Sequence, residues 1–290
     1  MNRRISQAAS VTALLVFCFA GACKTSKRDG VVRVTGIPDE NPTKLQQDYA
    51  PLVQILEKAL GKKVEYVPVT NYGAAVHALI AGKVDFAWLG GFTHVQARTR
   101  SKVVPLVMRD IDRKFHSVFI ANKSSGITKP EQMKGKKFAF GSKSSTSGHL
   151  MPRHFLKQKF QIDADADFSG KPVFSGAHDA TVKAVESGRV DAGALNMQVW
   201  ERMNKEGKVD ASKVEVIWKT PPYVDYVWTA RTAVSAELRD AFKKLFLSLD
   251  TANPTHKKVL DHAGATKYVP ASPTDFDAIE KVGRAVGMLK

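Results

Sequence analysis

Two stretches of the sequence, Ala74–Leu89 (AAVHALIAGKVDFAWL) and Ala180–Leu195 (ATVKAVESGRVDAGAL), repeat each other at a constant offset of 106 residues. Seven of their sixteen positions are identical without a gap. Each stretch has the pattern of an amphipathic helix, a glycine that ends it, and a buried strand that opens with Val-Asp. Any two helix–glycine–strand units share part of this likeness, but seven ungapped identities favour an internal duplication. We therefore predict two pseudo-symmetric halves.

The sequence on both sides of these stretches alternates strand and helix patterns. Val31–Gly36 predicts a strand, and Pro42–Leu60 predicts a helix that Gly61 closes. The order begins again with a strand at Lys136–Gly141 and a helix at Ser147–Lys159. Repeated strand–helix–strand units indicate an α/β protein built as two βα lobes with mainly parallel sheets.

The composition limits the class of protein. The chain has 290 residues, of which 43% are hydrophobic and 25% are charged, and its formal net charge is +16. These values exclude wholesale disorder, a collagen-like repeat and a polytopic membrane protein. The positive charge is compatible with nucleic-acid binding, but the basic residues are scattered and the sequence has no zinc-finger spacing. We therefore expect no nucleic-acid partner, and an attraction to anionic solutes or membrane surfaces.

Residues 1–22 have the pattern of a signal peptide, with two arginines ahead of the apolar run Val11–Ala20. That run is too short to span a bilayer. Small residues precede Cys23, as in bacterial lipoprotein signals, although Ala20 stands where leucine is usual, so plain secretion is the alternative. We expect a periplasmic or cell-envelope protein that is lipidated at Cys23 and tethered by residues 23–30.

A serine-rich loop carries the strongest functional pattern. Gly141–Gly148 (GSKSSTSG) follows a predicted strand and opens a predicted helix. The start of a helix exposes unpaired N–H groups and about half a positive charge, and hydroxyl groups add further donors. The G-K-[ST] arrangement of a nucleotide P-loop is missing, and N-capping alone explains one hydroxyl rather than five in six positions. The loop therefore predicts anion binding.

The repeat relates two further loops. The offset of 106 residues places Tyr72 and His178 at equivalent positions, each in a loop that follows a predicted strand. Two lobes of this kind form a cleft at the carboxyl ends of their strands, where α/β proteins bind ligands. Both side chains donate hydrogen bonds, so we expect them to face an oxyanion from opposite sides. Asp179 is interpreted as a first-turn helix acid.

A fourth loop joins a buried strand to a helix through Gly90 and Gly91. Glycines let the backbone approach a ligand closely, and Thr93 has a hydroxyl to donate. A tight turn between strand and helix explains the same residues equally well.

Together these motifs resemble a known family. The chain is similar to the periplasmic substrate-binding component of ABC importers of the phosphate/phosphite/phosphonate type, and the similarity covers nearly all of residues 31–290. The segments that carry it are the Tyr72 loop, VDFAWLGGF (Val84–Phe92), STSG (Ser145–Gly148), Ser175–Leu195 and TPPY (Thr220–Tyr223). The sequence TPPYVDYVW is most similar to a branch described as selenate importers.

The resemblance implies a type II periplasmic-binding-protein fold and its chain path. Phe115–Asn122 and Tyr226–Arg231 would be two strands that cross between the lobes. The first lobe would contain residues 31–120 and 227–290, and the second would contain residues 121–226.

The resemblance also implies the ligand contacts. Three hydroxyl residues hold the oxyanion from the second lobe, namely Ser145, Thr146 and Ser147. Asp225 lies near the place where some relatives use an acid to bind a ligand amine. The remaining expected ligand-binding residues are Tyr72, Phe92, Thr93 and His178.

The family further implies partners and excludes others. An ABC permease and ATPase would receive the ligand, and we expect a monomer with no cofactor and no metal. The sequence lacks G-x-S-x-G and H-E-x-x-H motifs, so we expect no enzyme. A sensory binding protein for the same ligands, or an enzyme on the same two-lobe fold, is the alternative. Contact between the ligand and Asp179 or Asp225 would favour either an oxyanion that keeps a proton or an aminophosphonate. If neither residue contacts the ligand, a fully ionised oxyanion is possible.

Overall fold

The computed structural model of the chain describes residues 30–289, and the expected signal peptide, the lipidation site Cys23 and nearly all of the tether lie outside them. The described residues form two sheets. The strands of the first sheet, in spatial order, are β11 (Tyr268–Pro270), β4 (Val103–Arg109), β10 (Val227–Arg231), β3 (Phe86–Leu89), β1 (Val32–Gly36) and β2 (Val64–Tyr66). Those of the second are β7 (Val173–Phe174), β6 (Phe138–Phe140), β8 (Ala192–Asn196), β5 (Ser117–Asn122) and β9 (Val214–Lys219).

The two sheets share one topology, which confirms the predicted duplication. Reading from the β2 edge, the first sheet runs β2-β1-β3-β10-β4, and the second runs β7-β6-β8-β5-β9. In each sheet the strand that crosses from the other lobe, β10 or β5, is inserted before the last strand of the repeat. The helices that carry the repeat, α2 (Tyr72–Ile80) and α5 (His178–Glu186), have the same length and begin 106 residues apart.

The α/β fold class and its two crossing strands are confirmed, and both sheets are mixed: most of their strands share one direction, and a few run against it. The pairs β1–β2, β1–β3, β6–β7 and β6–β8 are parallel, whereas every pair that involves β5, β10 or β11 is antiparallel. The physical reason lies in the crossing. A strand that returns from the other lobe enters its sheet from the opposite end to the strands of the βα units.

The segments that join the lobes run side by side. An isolated antiparallel bridge links Phe115 to Tyr223, and from there the chain enters β5 on one side and β10 on the other. The lobe boundaries at residues 120 and 227 stay a prediction.

The helices cover both faces of each sheet. Their bounds are α1 (Pro42–Leu60), α2, α3 (Gly91–Arg98), α4 (Met151–Phe160), α5, α6 (Met197–Lys205), α7 (Ala236–Leu247), α8 (Pro254–Ala263) and α9 (Asp277–Ala285). Helix α1 matches its predicted bounds, because Asn41 caps its start and Gly61 adopts the left-handed conformation that ends it. None of the helices between residues 30 and 289 is long and apolar enough to cross a membrane.

One predicted helix differs from the structure at its start. Where the sequence predicts an α-helix from Ser147, the chain makes a π-helical turn at Thr146–Leu150 before α4 begins. The Leu150 N–H bonds to the Ser145 carbonyl five residues back, at 3.0 Å. Such wider turns are rare in α-helices and frequent at functional sites.

Candidate functional site

Four helical segments begin at one place between the lobes. Helices α2 and α3 follow strands of the first sheet, while the π turn and α5 follow strands of the second. Each helix start carries unpaired N–H groups and about half a positive charge. The convergence therefore creates a positive potential with no need for a lysine or arginine.

The serine loop presents its side chains inside this region. Ser145, Thr146 and Ser147 are at most 2% exposed. The Ser145 Oγ accepts the N–H of Gly148 at 2.9 Å and also interacts with the Tyr72 hydroxyl. A Cβ at Gly148 would lie 3.0 Å from the His178 ring, which explains why glycine stands there.

Helix α3 contacts the serine loop across the cleft. The N–H of Phe92 donates to the Thr146 Oγ1 at 3.0 Å, and the N–H of Gly91 donates to the Asp225 Oδ1 at 2.9 Å. A Cβ at Gly90 would lie 3.0 Å from the Thr146 Oγ1 and 3.2 Å from the Asp225 Oδ1. The Gly90-Gly91 pair thus lets the two lobes close to hydrogen-bonding distance at this point.

Tyr72 and His178 face each other as the repeat predicts, with the Tyr72 hydroxyl 3.5 Å from the His178 Nε2. Burial, with a smaller effect of the Arg202 charge, lowers the pKa of His178 to about 3, so its ring is neutral at physiological pH. The His178 Nδ1 accepts the Asn196 N–H at 3.3 Å, which leaves the proton on Nε2. Tyr72 and His178 therefore place two donors side by side at the same point of the cleft.

The acidic side chain of Asp225 touches the serine cluster. It is 1% exposed, and burial raises its pKa to about 7 against the opposing effect of hydrogen bonds from Thr146 and Gly91. Within residues 30–289, its Oδ2 and the Ser147 Oγ are buried polar atoms without a hydrogen-bond partner. The Ser147 hydroxyl interacts weakly with both Asp225 and Tyr223, but without hydrogen-bond geometry to either. Two unpaired polar atoms side by side mark the place where a ligand would complete the hydrogen bonding.

The predicted site residues do not all point into the cluster. The Thr93 hydroxyl donates to the Gly90 carbonyl at 2.9 Å, within its own first helical turn. The Phe92 ring packs towards Gly283 of α9, so Phe92 reaches the cluster through its backbone alone. Asp179 accepts the Asn41 N–H at 3.1 Å and links α5 to the first lobe.

Three polar residues of the site were not predicted. Tyr226 donates to the Asp39 Oδ2 at 2.9 Å, accepts from the Asn196 Nδ2 at 3.0 Å, and lies 3.4 Å from the His178 Nε2. Asp39 follows β1 and Asn196 ends β8, so both stand at the carboxyl edge where ligand sites form. Their position at the ends of predicted strands was the sequence feature that could have identified Asp39 and Asn196 as site residues. Nothing in the sequence pairs them with Tyr226.

No group of three or more His, Cys, Asp or Glu residues within the described part of the chain is arranged to hold a metal ion. The site itself combines hydrogen-bond donors from both sheets, the acidic groups of Asp39 and Asp225, and almost complete exclusion of solvent.

Comparison with known proteins agrees with this geometry. The family model described as the periplasmic substrate-binding protein of phosphonate ABC transporters matches residues 34–276. The chain belongs to this family. A relative described as a probable ABC transporter phosphite-binding protein, PhnD1 of Prochlorococcus marinus (strain MIT 9301), is 38% identical over 90% of this chain and 91% of its own length. The phosphate-import protein PhnD of Mycolicibacterium smegmatis (strain ATCC 700084 / mc(2)155) is 29% identical over 100% of this chain and 98% of its own.

The fold of the family is seen in solved structures. The structure of Prochlorococcus marinus PhnD1 in complex with methylphosphonate superposes with a TM-score of 0.86 at 37% identity, covering 90% of this chain and 99% of that one. A binding-protein component of a phosphonate ABC transporter from Pseudomonas aeruginosa shares the fold at a TM-score of 0.79 and 24% identity. The family membership and the two-lobe periplasmic-binding fold that the sequence motifs predicted are both confirmed.

Proposed function

We propose that the protein captures a small tetrahedral oxyanion that shares one proton with Asp225, of the phosphonate or phosphite type, and delivers it to a membrane permease. The observation that carries the proposal is the pairing of two unsatisfied buried atoms, Asp225 Oδ2 and Ser147 Oγ, at the meeting point of four helix starts. The Asp225 Oδ2 accepts a hydrogen bond, and the Ser147 Oγ donates one. A protonated oxyanion offers both partners at once.

The strength of binding is adequate without a basic side chain. Charge-assisted hydrogen bonds contribute about 1.5–3 kcal/mol each, and micromolar binding needs about −8 kcal/mol in total. Five or six donors from the serine loop, Tyr72, His178 and the helix starts beside them therefore exceed the costs of desolvation and closure. The near-complete burial of these groups favours a small ligand.

Asp225 favours some oxyanions over others. Phosphite and methylphosphonate retain a proton near neutral pH, which an ionised Asp225 accepts as a hydrogen bond. Sulfate and selenate have no proton at that pH, so they bind only when the carboxyl group of Asp225 is itself protonated. The raised pKa of Asp225 makes this difference depend on pH near 7. Selenate, which the TPPYVDYVW segment suggests, is therefore the weaker candidate.

The family supports the cellular setting that we propose. The protein acts in the periplasm or cell envelope as a monomer, held at the membrane by lipid on Cys23, and passes its ligand to an ABC permease and ATPase. It uses no cofactor, binds no nucleic acid and has no enzymatic activity. A sensory role for the same ligand remains the second candidate, because a closed and liganded form serves either purpose.

Calorimetry with phosphate, phosphite, methylphosphonate, sulfate, selenite and selenate at pH 7 tests the ligand class. We expect phosphite or methylphosphonate to bind most tightly. Failure of all six to bind would refute the proposal.

The Ser147→Ala substitution tests the position of the site. Because the Ser147 hydroxyl makes no hydrogen bond of good geometry within residues 30–289, we expect its removal to leave the fold intact and to cost a ligand bond, about 10- to 100-fold in Kd. Ser144→Ala, at the half-buried position directly before the buried cluster, is the matched control and leaves Kd within twofold. Equal effects of the two variants would place the ligand elsewhere.

A further inference from the structure

His149 lies on the π turn, directly after the residues that contact the ligand in the proposed function. It is 5% exposed. Its ring packs against Phe140 of β6 and Phe174 of β7, with ring centroids 4.7 Å and 4.8 Å away. The imidazole therefore sits between the second sheet and the serine loop, and it faces away from Tyr72 and Asp225.

A chain of hydrogen bonds runs through this ring. The side chain of Arg153 forms two bonds to the Asp165 carboxylate, at 2.7 Å and 3.0 Å, and these fix the plane of its guanidinium group. The Arg153 Nε donates to the His149 Nε2 at 3.1 Å. On the other side of the ring, the His149 Nδ1 lies 2.9 Å from the backbone carbonyl of Lys143, in the middle of the serine loop.

The directions of these bonds determine the tautomer. An arginine N–H only donates, so the His149 Nε2 must accept and carry no proton. The proton is therefore on Nδ1, which donates to the Lys143 carbonyl. A doubly protonated ring would bring two N–H groups together at Nε2. The geometry is satisfied only by a neutral imidazole in the Nδ1–H form.

We propose that His149 is a positioning residue that holds the serine loop in its anion-binding shape through the Arg153–His149–Lys143 hydrogen-bond chain. The inference rests on the proposed function, since it concerns the same loop. Besides these hydrogen bonds, two contacts hold the tip of the loop. The Ser145 N–H donates to the Ser142 carbonyl at 3.0 Å, and the Ser144 N–H lies 3.4 Å from the Ser142 Oγ. The bond from His149 fixes the carbonyl of Lys143, which lies between Ser142 and Ser144. It thereby fixes the entry of the chain into the π turn.

The charged groups around the ring agree with a neutral histidine. Lys143 and Arg153 face it as cations and Asp165 as an anion. Burial is the largest effect and, together with the two cations, lowers the pKa of His149 to about 4, against the Lys143 carbonyl and Asp165. The bond from Arg153 Nε to His149 Nε2 is thus present at neutral pH and is lost as the pH falls through about 4, whereas the Nδ1–H still donates to the Lys143 carbonyl.

The His149→Phe substitution separates positioning from packing. Phenylalanine keeps an aromatic ring between Phe140 and Phe174 but removes both nitrogens. We expect Kd for methylphosphonate at pH 7 to rise at least tenfold while the midpoint of thermal unfolding changes little, since the Lys143 carbonyl near the surface takes a water as its partner. The matched control is His154→Phe on α4, whose ring packs beside Phe155 and makes no bond to the loop, and we expect its Kd to stay within twofold.

A second measurement on the unmodified protein keeps the inference testable if the variant misfolds. Nitrogen NMR of the histidine rings at pH 7 should show His149 as a neutral ring protonated at Nδ1, a signature that a purely structural aromatic residue does not require. An Nε2–H tautomer, an imidazolium ion, or a His149→Phe variant that binds as tightly as His154→Phe would overturn the inference. If the unmodified protein binds none of the six oxyanions, the proposed function fails instead, and the tautomer still reports on the hydrogen-bond chain.

Discussion

The Asp225→Asn substitution tests the shared proton most directly. Asparagine has the same shape, keeps an oxygen to accept the Gly91 N–H, and does not ionise. In the unmodified protein, burial raises the pKa of Asp225 to about 7, so the carboxyl group is neutral below that pH and charged above it. The substitution therefore removes a pH-dependent charge while leaving the packing in place.

The size of the effect follows from that pKa. A ligand without a proton, such as sulfate, binds next to Asp225 only when the carboxyl group is protonated, and each pH unit above 7 raises this cost by about 1.4 kcal/mol, or tenfold in Kd. The sign is fixed, because protonation is complete below pH 7 and lost above it. We expect sulfate affinity of the unmodified protein to fall about tenfold from pH 8 to pH 9. The sulfate affinity of the Asp225→Asn variant should not change over this pH range.

Methylphosphonate provides the opposite case. Methylphosphonate brings its own proton, so the unmodified protein binds it across neutral pH. The affinity declines only when both the ligand and the Asp225 carboxyl group have lost their protons. In Asp225→Asn a charge-assisted bond becomes a neutral one, and we expect Kd at pH 7 to rise about tenfold. Calorimetry from pH 6 to pH 9 with both ligands gives the four profiles. A sulfate profile of the same slope in both proteins would refute the assignment of the shared proton to Asp225.

Two further substitutions probe closure of the lobes. Arg202 of α6 forms a salt bridge with the buried Glu40 of the first lobe, so Arg202→Met should weaken every ligand by the same factor, about 3- to 10-fold, in calorimetry with phosphite and methylphosphonate. Unequal factors would contradict a role in closure alone. The control is Arg239→Met on α7, a half-buried arginine that bonds to the Thr232 carbonyl. Gly90→Ala places a methyl group 3.0 Å from the Thr146 Oγ1, so we expect at least a tenfold loss of methylphosphonate affinity. The control is Gly73→Ala, whose Cβ would meet only the Asn71 Oδ1 at 3.3 Å, and its affinity should stay within twofold.

The fold was predictable from the sequence because its main signals are local and repeated. The helix–glycine–strand unit at residues 74–89 and its copy at 180–195 specify two equivalent halves, and the structure gives both the same strand order. The antiparallel strands were missed for the opposite reason. A strand such as β10 pairs with β3 and β4, more than 100 residues earlier, and periodicity does not reveal the direction of a distant partner.

The site was predictable to the extent that its residues stand at helix starts. Tyr72, His178 and the serine loop fall on such positions, and the structure brings them together. Tyr226 and Asn196 act through contacts with each other and with Asp39, which lies 187 residues from Tyr226. Thr93 shows the limit of residue type as a signal, because its hydroxyl bonds within its own helix.

The duplication also explains why binding and closure are one event. Each lobe supplies two helix starts and part of the hydrogen-bonding groups: α2, α3 and Tyr72 come from the first lobe, and the π turn, α5 and His178 from the second. Neither set alone satisfies a tetrahedral anion, because a single lobe leaves most of the ligand oxygens to water. The full set of charge-assisted bonds forms only when the two lobes meet, so the ligand stabilises the closed form by the bonds that the second lobe adds. Pairing of the Phe92 N–H with Thr146, and of the Gly91 N–H with Asp225, shows that this meeting brings the lobes within hydrogen-bonding distance of each other at the serine cluster.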